Sequence, residues 1–173
     1  MSVGFLCLFF ASEASAAVEL TRAQILDKRM EYYIKYSTDT LPWYYLAAVD
    51  QYERNIQEVR KDLPGRDGVV AVQFTDDFWV GPLNPLGDDT NLTTISYFEG
   101  QGRDGQNDED VMFTLVQYLS PQVHSEKDFE KALKRYYDKD LTVKQILTNA
   151  KIYKTYEVLN LDKRAFVLAI SHN

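Results

Sequence analysis

The chain has 173 residues, which is enough for one domain with a sizeable hydrophobic core. Its formal net charge is −7 and its Lys and Arg residues form no block, which argues against nucleic acid as a partner, because phosphate contacts need clustered cations. The one cysteine, Cys7, lies in a segment that we expect to be cleaved off, so a disulfide framework and a cysteine-based zinc site are excluded.

Residues 1–16 are typical of a secretory signal peptide. The apolar run from Val3 to Ala11 is too short to cross a bilayer, and Ala14-Ser15-Ala16 is an acceptable small-residue cleavage site. No Lys or Arg precedes the run, so either the true start lies upstream of Met1 or the leader is atypical. The sequence therefore predicts a secreted protein whose mature domain covers 17–173, with no membrane span after cleavage.

The first half of the mature chain combines helices with an irregular region. Hydrophobic spacing predicts a helix over Arg22–Tyr36 and another from Pro42, which suits a first helical turn, to about Lys61. The apolar segment Val69–Trp79 is either strand or helix, because periodicity alone does not distinguish them. A region rich in Gly, Pro, Asn and Asp over 81–105 predicts a long irregular loop.

Three further helices are predicted in the last third of the chain, each from a start signal. Their predicted ranges are 108–119 with Asp108 as the cap, 125–137 with an S-x-x-D start, and 142–156 with a capping box that begins at Thr142. Together the elements predict one mostly α-helical domain with a long irregular central loop region.

Glu53 is the candidate functional side chain of the second helix. It follows Val49 by four residues, on the helical stripe that also carries Leu46 and Ile56, so we expect it to be largely removed from water. Burial favours the protonated carboxylic acid, a property that a general acid for sugar chemistry needs. The alternative is a buried glutamate that is satisfied by a neighbouring donor and has no catalytic role.

Two other acidic features have simpler explanations. Asp50 could form an acid pair with Glu53, but such spacing is more often a solvated helix face, and Asp50 could simply pair with a Lys or Arg. The acidic loop 104–110 is a candidate calcium site, because hard cations prefer clustered oxygen ligands, but its sequence does not match the EF-hand pattern. The sequence therefore predicts no metal site and no cofactor.

Four segments, taken in order, carry a family resemblance. Leu46–Glu53 resembles a helix that ends in a catalytic Glu, and 70–79 resembles a Gly-x-Met-Gln-Phe-x-Pro-x-x-Trp segment with the Gln-to-Trp spacing kept. Residues 102–119 look like an Asp/Gly-rich loop and a helix ending in Tyr-Leu, and 137–153 resembles a Tyr-Asn motif with the last helix. These are the signature segments of the soluble lytic transglycosylases and their goose-type-lysozyme-like relatives. The resemblance implies a lysozyme-like fold over nearly the whole mature chain.

The resemblance also implies a mechanism with a single carboxylate. In that family one Glu protonates the glycosidic oxygen between N-acetylmuramic acid and N-acetylglucosamine. It then acts as base toward the sugar's own 6-hydroxyl and leaves a 1,6-anhydro end, unlike the two-carboxylate scheme of most glycosidases. By position, Glu53 takes the catalytic role. Gln73, Tyr137 and Asp138 become the substrate-binding residues, and the implied partner is the peptidoglycan glycan strand. We expect the protein to act in the cell wall as a monomer.

Four positions depart from the family pattern. Arg54 stands where Ser usually follows the Glu, and its charge is expected to favour the ionised form of Glu53. Val70-Ala71-Val72 replaces Gly-x-Met, Asp76 replaces Pro, and Asp138 replaces Asn. These changes bear on activity more than on fold.

A narrower resemblance covers Leu41–Asn55 and Arg164–Asn173. Both look like the N-terminal region of Bacillus-type exported peptidoglycan endopeptidases of the M23 zinc class, a group that includes spore-cortex enzymes. A zinc peptidase needs several His and an Asp, and this chain has only His124 and His172, so it is not that peptidase on its own. The alternative function is therefore a non-catalytic wall-binding part of such an endopeptidase, with 160–173 as a tail or the start of a linker. A third candidate function is that of an exported helical interaction module without sugar specificity.

Overall fold

The computed structural model describes residues 20–59, 68–74, 105–120, 123–137 and 139–158. Within these stretches the chain forms five α-helices and no β-strand, so the predicted mostly α-helical class is confirmed. The predicted signal peptide, nearly all of the irregular loop over 81–105 and the tail from residue 160 lie outside the described residues.

The helices are α1 (Arg22–Tyr36), α2 (Trp43–Val59), α3 (Asp108–Leu119), α4 (Glu126–Tyr137) and α5 (Asp140–Val158). Helix α2 is central: it contacts α1 and, most extensively, α5, while α5 also contacts α4 and α1 also contacts α3. Residues 43–52 are all buried, which explains why the first turns of α2 are apolar on nearly every side.

The predicted bounds of α1 and the predicted S-x-x-D start of α4 are confirmed. Thr21 caps α1 in a capping box with Gln24, whose side-chain oxygen accepts the Thr21 backbone N–H at 2.8 Å. Before α4, the Ser125 hydroxyl oxygen accepts the Asp128 backbone N–H at 3.2 Å. In both cases a side chain satisfies a backbone N–H near a helix start, where partners within the helix are missing.

The predicted range of α3 is confirmed but its predicted cap is wrong, and the predicted start of α5 is wrong by two residues. The cap of α3 is Asn107 and not Asp108, because the Asn107 side-chain oxygen accepts the Glu109 backbone N–H at 2.8 Å. Helix α5 begins at Asp140, so Thr142 lies inside its first turn and does not cap it. In both places another polar residue one or two positions earlier in the chain starts the helix.

Segment 68–74 contains residues 69–74, the described part of the stretch predicted as strand or helix, and it forms neither. Because this segment buries apolar side chains without regular structure, its backbone polar groups need side-chain partners. The Asp108 carboxylate is the partner of two of these groups: it accepts the backbone N–H of Val69 at 2.8 Å and that of Val70 at 3.2 Å. A Cβ on Gly68 would lie 2.0 Å from Asp108 Oδ1, so an alanine there would displace the carboxylate.

Aromatic side chains hold α4 and α5 against α2. Tyr45 stacks on Phe129 of α4 with ring centroids 3.9 Å apart, and Trp43 meets Tyr153 of α5 at 6.2 Å. Such ring pairs add to the free energy gained by burying their apolar surface. The packing places Tyr137, at the end of α4, beside the part of α2 that carries Glu53.

We expect Thr142→Val to destabilise the fold by about 1–2 kcal/mol more than Thr148→Val, because the first change leaves a buried hydroxyl without its partner. The Thr142 and Tyr52 hydroxyls share a buried hydrogen bond of 2.8 Å that joins α5 to α2. Thr148 is exposed on the same helix and bonds only to the Lys144 carbonyl there, so it controls for the lower helix propensity of valine. Urea unfolding of both variants measures the difference, and equal losses would contradict the prediction.

Candidate functional site

The structure brings Glu53 and Tyr137, two of the predicted site residues, into direct contact. The Tyr137 hydroxyl donates to Glu53 Oε1 at 2.5 Å, although the two residues are 84 positions apart in the sequence. The Tyr52 ring, from α2, meets the edge of the Tyr137 ring with centroids 5.3 Å apart. As a whole residue Glu53 is intermediate between buried and exposed, and burial is the largest influence on its carboxyl group.

The surroundings of Glu53 raise its pKa to about 7. Burial is the largest cause, since it disfavours the charged carboxylate, whereas the Tyr137 hydrogen bond lowers the pKa by stabilising the ionised form. The negative charge of Asp50 raises it further. Near neutral pH both protonation states of Glu53 are populated, which suits a group that must give and then take a proton.

The Arg54 side chain binds groups other than Glu53. Its guanidinium donates to the backbone carbonyl of Val69 at 2.6 Å and lies 3.9 Å from Asp50 Oδ2. The prediction that the charge of Arg54 favours the ionised form of Glu53 is wrong, because burial, Tyr137 and Asp50 set the pKa of Glu53 and Arg54 is not among the causes. The guanidinium is directed at segment 68–74 and at the neighbouring carboxylate.

Asp50 is completely buried, so the alternative of a solvated helix face is wrong. Its carboxylate accepts hydrogen bonds from Arg29 Nε at 3.0 Å, from the Tyr33 hydroxyl, and from the Ala71 backbone N–H at 2.5 Å. Burial alone would raise the pKa of Asp50, but the charges of Arg29 and Arg54 and these hydrogen bonds lower it below its usual range. Pairing with an arginine, the simpler expectation, is confirmed.

Arg29 and Tyr33 are the residues of this region that the sequence analysis missed. Arg29 is buried on α1 and also donates to the Gln51 side-chain oxygen at 3.1 Å. The available signal was a charged residue four positions before Tyr33, on the face of α1 that also buries Leu26 and Met30. A charge on an apolar helical stripe is expected to have a partner, because burying it alone is costly.

Gln73 is joined to α4 through its backbone. The Tyr136 hydroxyl donates to the Gln73 carbonyl at 2.8 Å, and the rings of Tyr136 and Tyr137 lie 4.5 Å apart. Gln73 therefore lies next to the tyrosine pair that contacts Glu53, and its side chain is partly exposed. The predicted site residue Asp138 lies outside the described residues, as do Asp76 and Trp79.

In the described stretches no group of three His, Cys, Asp or Glu side chains is arranged to hold a metal ion. His124 is exposed just before α4, and His172 falls in a part of the chain that is not described. From residue 105 onward the loop considered for calcium leads into α3, where Asp108 binds backbone N–H groups. None of the helices in the described part has the length and apolar character needed to cross a bilayer.

The chain is similar in sequence to the L-Ala–D-Glu endopeptidase of Bacillus subtilis (strain 168), with 41% identity over 174 residues. The alignment covers 95% of this chain but 53% of the relative, so the chain spans about half the length of the curated relative that it matches. No protein-family model and no solved structure matches the chain. The similarity agrees with the narrower resemblance, to Bacillus-type endopeptidases, while the lysozyme-like resemblance stays a prediction.

We expect the free energy of unfolding of the wild-type protein to fall as the pH rises through the titration of Glu53. In Glu53→Gln this fall should be absent. The carboxyl group has a pKa of about 7 in the folded protein and near 4.5 when unfolded, so the unfolded chain ionises first. The contribution of Glu53 to the free energy of unfolding is therefore fully present below about pH 4.5, falls up to about pH 7 and then levels off. The full shift corresponds to at most ~3 kcal/mol, and less because Glu53 is partly exposed to screening solvent.

Urea unfolding at about pH 5 and about pH 8 measures this effect. Glu31→Gln, at an exposed position on α1, is the matched control and should keep the wild-type pH dependence. If Glu53→Gln lost as much stability over this interval as the wild-type protein does, Glu53 would not be the carboxyl group responsible.

We expect Tyr137→Phe to raise the pKa of Glu53 above its wild-type value. The lost hydroxyl stabilises the ionised carboxylate, so without it the charged form is less favourable. Tyr136→Phe is the control, because that hydroxyl bonds to the Gln73 carbonyl. The carboxyl carbon resonance of Glu53, followed by NMR across the pH range, gives the pKa in each variant, and a lower pKa in Tyr137→Phe is the result that would refute the assignment.

Proposed function

We propose that the chain is an exported cell-wall protein of lysozyme-like architecture that binds peptidoglycan glycan strands. It cleaves the bond between N-acetylmuramic acid and N-acetylglucosamine, with Glu53 as the single catalytic carboxylate. The observation that carries the proposal is the partly exposed Glu53, whose pKa is about 7 and whose Oε1 accepts a hydrogen bond from Tyr137. The similarity to an L-Ala–D-Glu endopeptidase supports peptidoglycan as the target, because that peptide bond occurs in its peptide stems.

The proposed reaction uses the two protonation states of one side chain in turn. The acid form of Glu53 donates its proton to the glycosidic oxygen while the bond from that oxygen to the muramic C1 breaks. The resulting carboxylate accepts the proton of the muramic 6-hydroxyl as O6 bonds to C1, which regenerates the acid. A pKa near the working pH serves both steps, since neither protonation state is inaccessible. The Tyr137 hydroxyl stabilises the carboxylate between the steps.

Substrate binding is proposed for Gln73, Tyr137 and Asp138. Gln73 is held beside the tyrosine pair by the bond from Tyr136 to its carbonyl, which leaves its side chain partly exposed near Glu53's partner. Asp138 directly follows Tyr137 in the chain. Polar groups on fixed backbone at a partly exposed acid are the arrangement that orients a sugar for proton transfer.

We expect the purified chain to release anhydro-muropeptides from isolated peptidoglycan, detected by mass spectrometry. Glu53→Gln should lower the rate by about a hundredfold or more, because glutamine can neither donate nor accept the proton. Glu31→Gln, remote and exposed on α1, should keep the wild-type rate. Unchanged product formation by Glu53→Gln would remove this residue from the mechanism.

The second candidate function is a wall-binding domain without its own catalysis. It is favoured by the comparison, since the chain matches about half of an enzyme that is named for cleaving a peptide bond. In that case the chain would position a peptidase on glycan strands, and Glu53 would contribute only to binding. Sedimentation with insoluble wall material in the absence of anhydro products indicates this function. Failure to sediment as well leaves an interaction module without sugar specificity.

A further inference from the structure

We propose that Asp50 is a positioning residue for Glu53: it fixes the backbone that carries Gln73 to the helix of Glu53 and keeps a negative charge one helical turn from the acid. The inference rests on the proposed function of Glu53 and extends it to a residue that touches no substrate. It is carried by the hydrogen bonds that surround the Asp50 carboxylate.

Three side chains along one stripe of α2 bind the backbone of segment 68–74. Asp50 accepts the Ala71 N–H at 2.5 Å, Arg54 donates to the Val69 carbonyl at 2.6 Å, and Gln57 donates to the Ala71 carbonyl at 2.7 Å. Positions 50, 54 and 57 follow the four-and-three spacing that puts residues on one helical face. Because these bonds hold the segment to α2 by its backbone, they place Gln73, two residues after Ala71, at a fixed distance along that helix.

Asp50 is itself anchored from a different helix. Arg29 and Tyr33 of α1 both bond to its carboxylate, and Arg29 also holds the Gln51 side chain. Arg29 and Asp50 form a buried ion pair at 3.0 Å. This anchoring leaves Asp50 little freedom to rotate, so its charge and its bond to Ala71 keep one geometry while Glu53 changes protonation state.

The charged and titratable groups around the two carboxylates differ. Asp50 has Arg29 and Tyr33 of α1 and Arg54 of its own helix as neighbours. On the α5 side lies Tyr153, whose pKa is raised by burial and also by the charge of Asp50. Glu53 is faced from α4 by Tyr137 and Tyr136, from its own helix by Asp50, and by no ionisable side chain of segment 68–74. The two arginines keep Asp50 ionised, and its persistent charge opposes the ionisation of Glu53.

The test is a titration of Glu53 in Asp50→Asn. Asparagine keeps a side-chain oxygen for the Ala71 N–H but removes the charge. We expect the pKa of Glu53, followed by carboxyl carbon NMR, to fall by about one unit, the order expected for losing a like charge at this range. Asp140→Asn is the matched control, because that carboxylate is 91% exposed at the start of α5 and should leave the Glu53 titration unchanged.

A second variant covers the case in which Asp50→Asn does not fold. The double variant Arg29→Gln with Asp50→Asn removes the buried acid together with its buried partner, so neither is left alone. The Glu53 pKa is again expected to fall, but by less than in the single variant, because the positive charge of Arg29 is lost as well. Hydrogen exchange of the Ala71 amide should be faster, because the side chain at position 50 is no longer anchored to α1 by Arg29. An unchanged Glu53 pKa in the folded variants overturns the proposal. Loss of folding in both variants also overturns it, because Asp50 would then serve the fold alone.

The titration also separates this proposal from the proposed function. If wild-type protein yields anhydro-muropeptides, the high-pH limb of its kcat/KM profile should move to lower pH in Asp50→Asn by the same amount as the Glu53 pKa. If no product forms but the pKa still falls, the proposed reaction fails and the positioning of Glu53 by Asp50 stands. If product forms and the pKa does not change, the positioning role alone fails.

Discussion

The buried ion pair between Arg29 and Asp50 is the interaction on which the described structure most depends. Removing two charges from water costs several kcal/mol for each, and this cost is offset only when geometry and further hydrogen bonds are good. Here Tyr33 and the Ala71 N–H satisfy the carboxylate, and Gln51 takes another guanidinium N–H. The pair therefore ties α1, α2 and segment 68–74 into one unit.

That unit determines the environment of Glu53. Glu53 lies one turn further along α2 than Asp50, on the helix to which Asp50, Arg54 and Gln57 bind segment 68–74. Helix α4 contributes Tyr136 and Tyr137, whose hydroxyls reach segment 68–74 and Glu53 respectively. Two kinds of force then act in opposite directions on Glu53, since burial favours the neutral acid while the Tyr137 hydroxyl favours the ion. The balance leaves a group that exchanges a proton near neutral pH.

Helical boundaries and helical class followed from local signals. The stripe of Leu46, Val49, Glu53 and Ile56 predicted both the helix and a carboxyl group short of water, because side chains at these spacings share one helical face. The cap of α3 and the start of α5 did not follow from local signals alone. Asn107 and Asp108 are both good caps, and so are residues around Thr142, and the choice between neighbouring caps depends on which side chain has a competing partner elsewhere.

Sequence by itself determined the mostly helical class, the bounds of α1, and Glu53 with Tyr137 as candidate site residues, since each rests on local spacing or on a motif match. Tertiary structure alone decided which charges meet. It directed Arg54 to the Val69 carbonyl instead of Glu53, buried Asp50 against Arg29 from another helix, and left residues 68–74 without regular structure. The physical reason is that periodicity fixes the face on which a side chain lies, whereas its charge partner comes from a distant part of the chain and depends on packing.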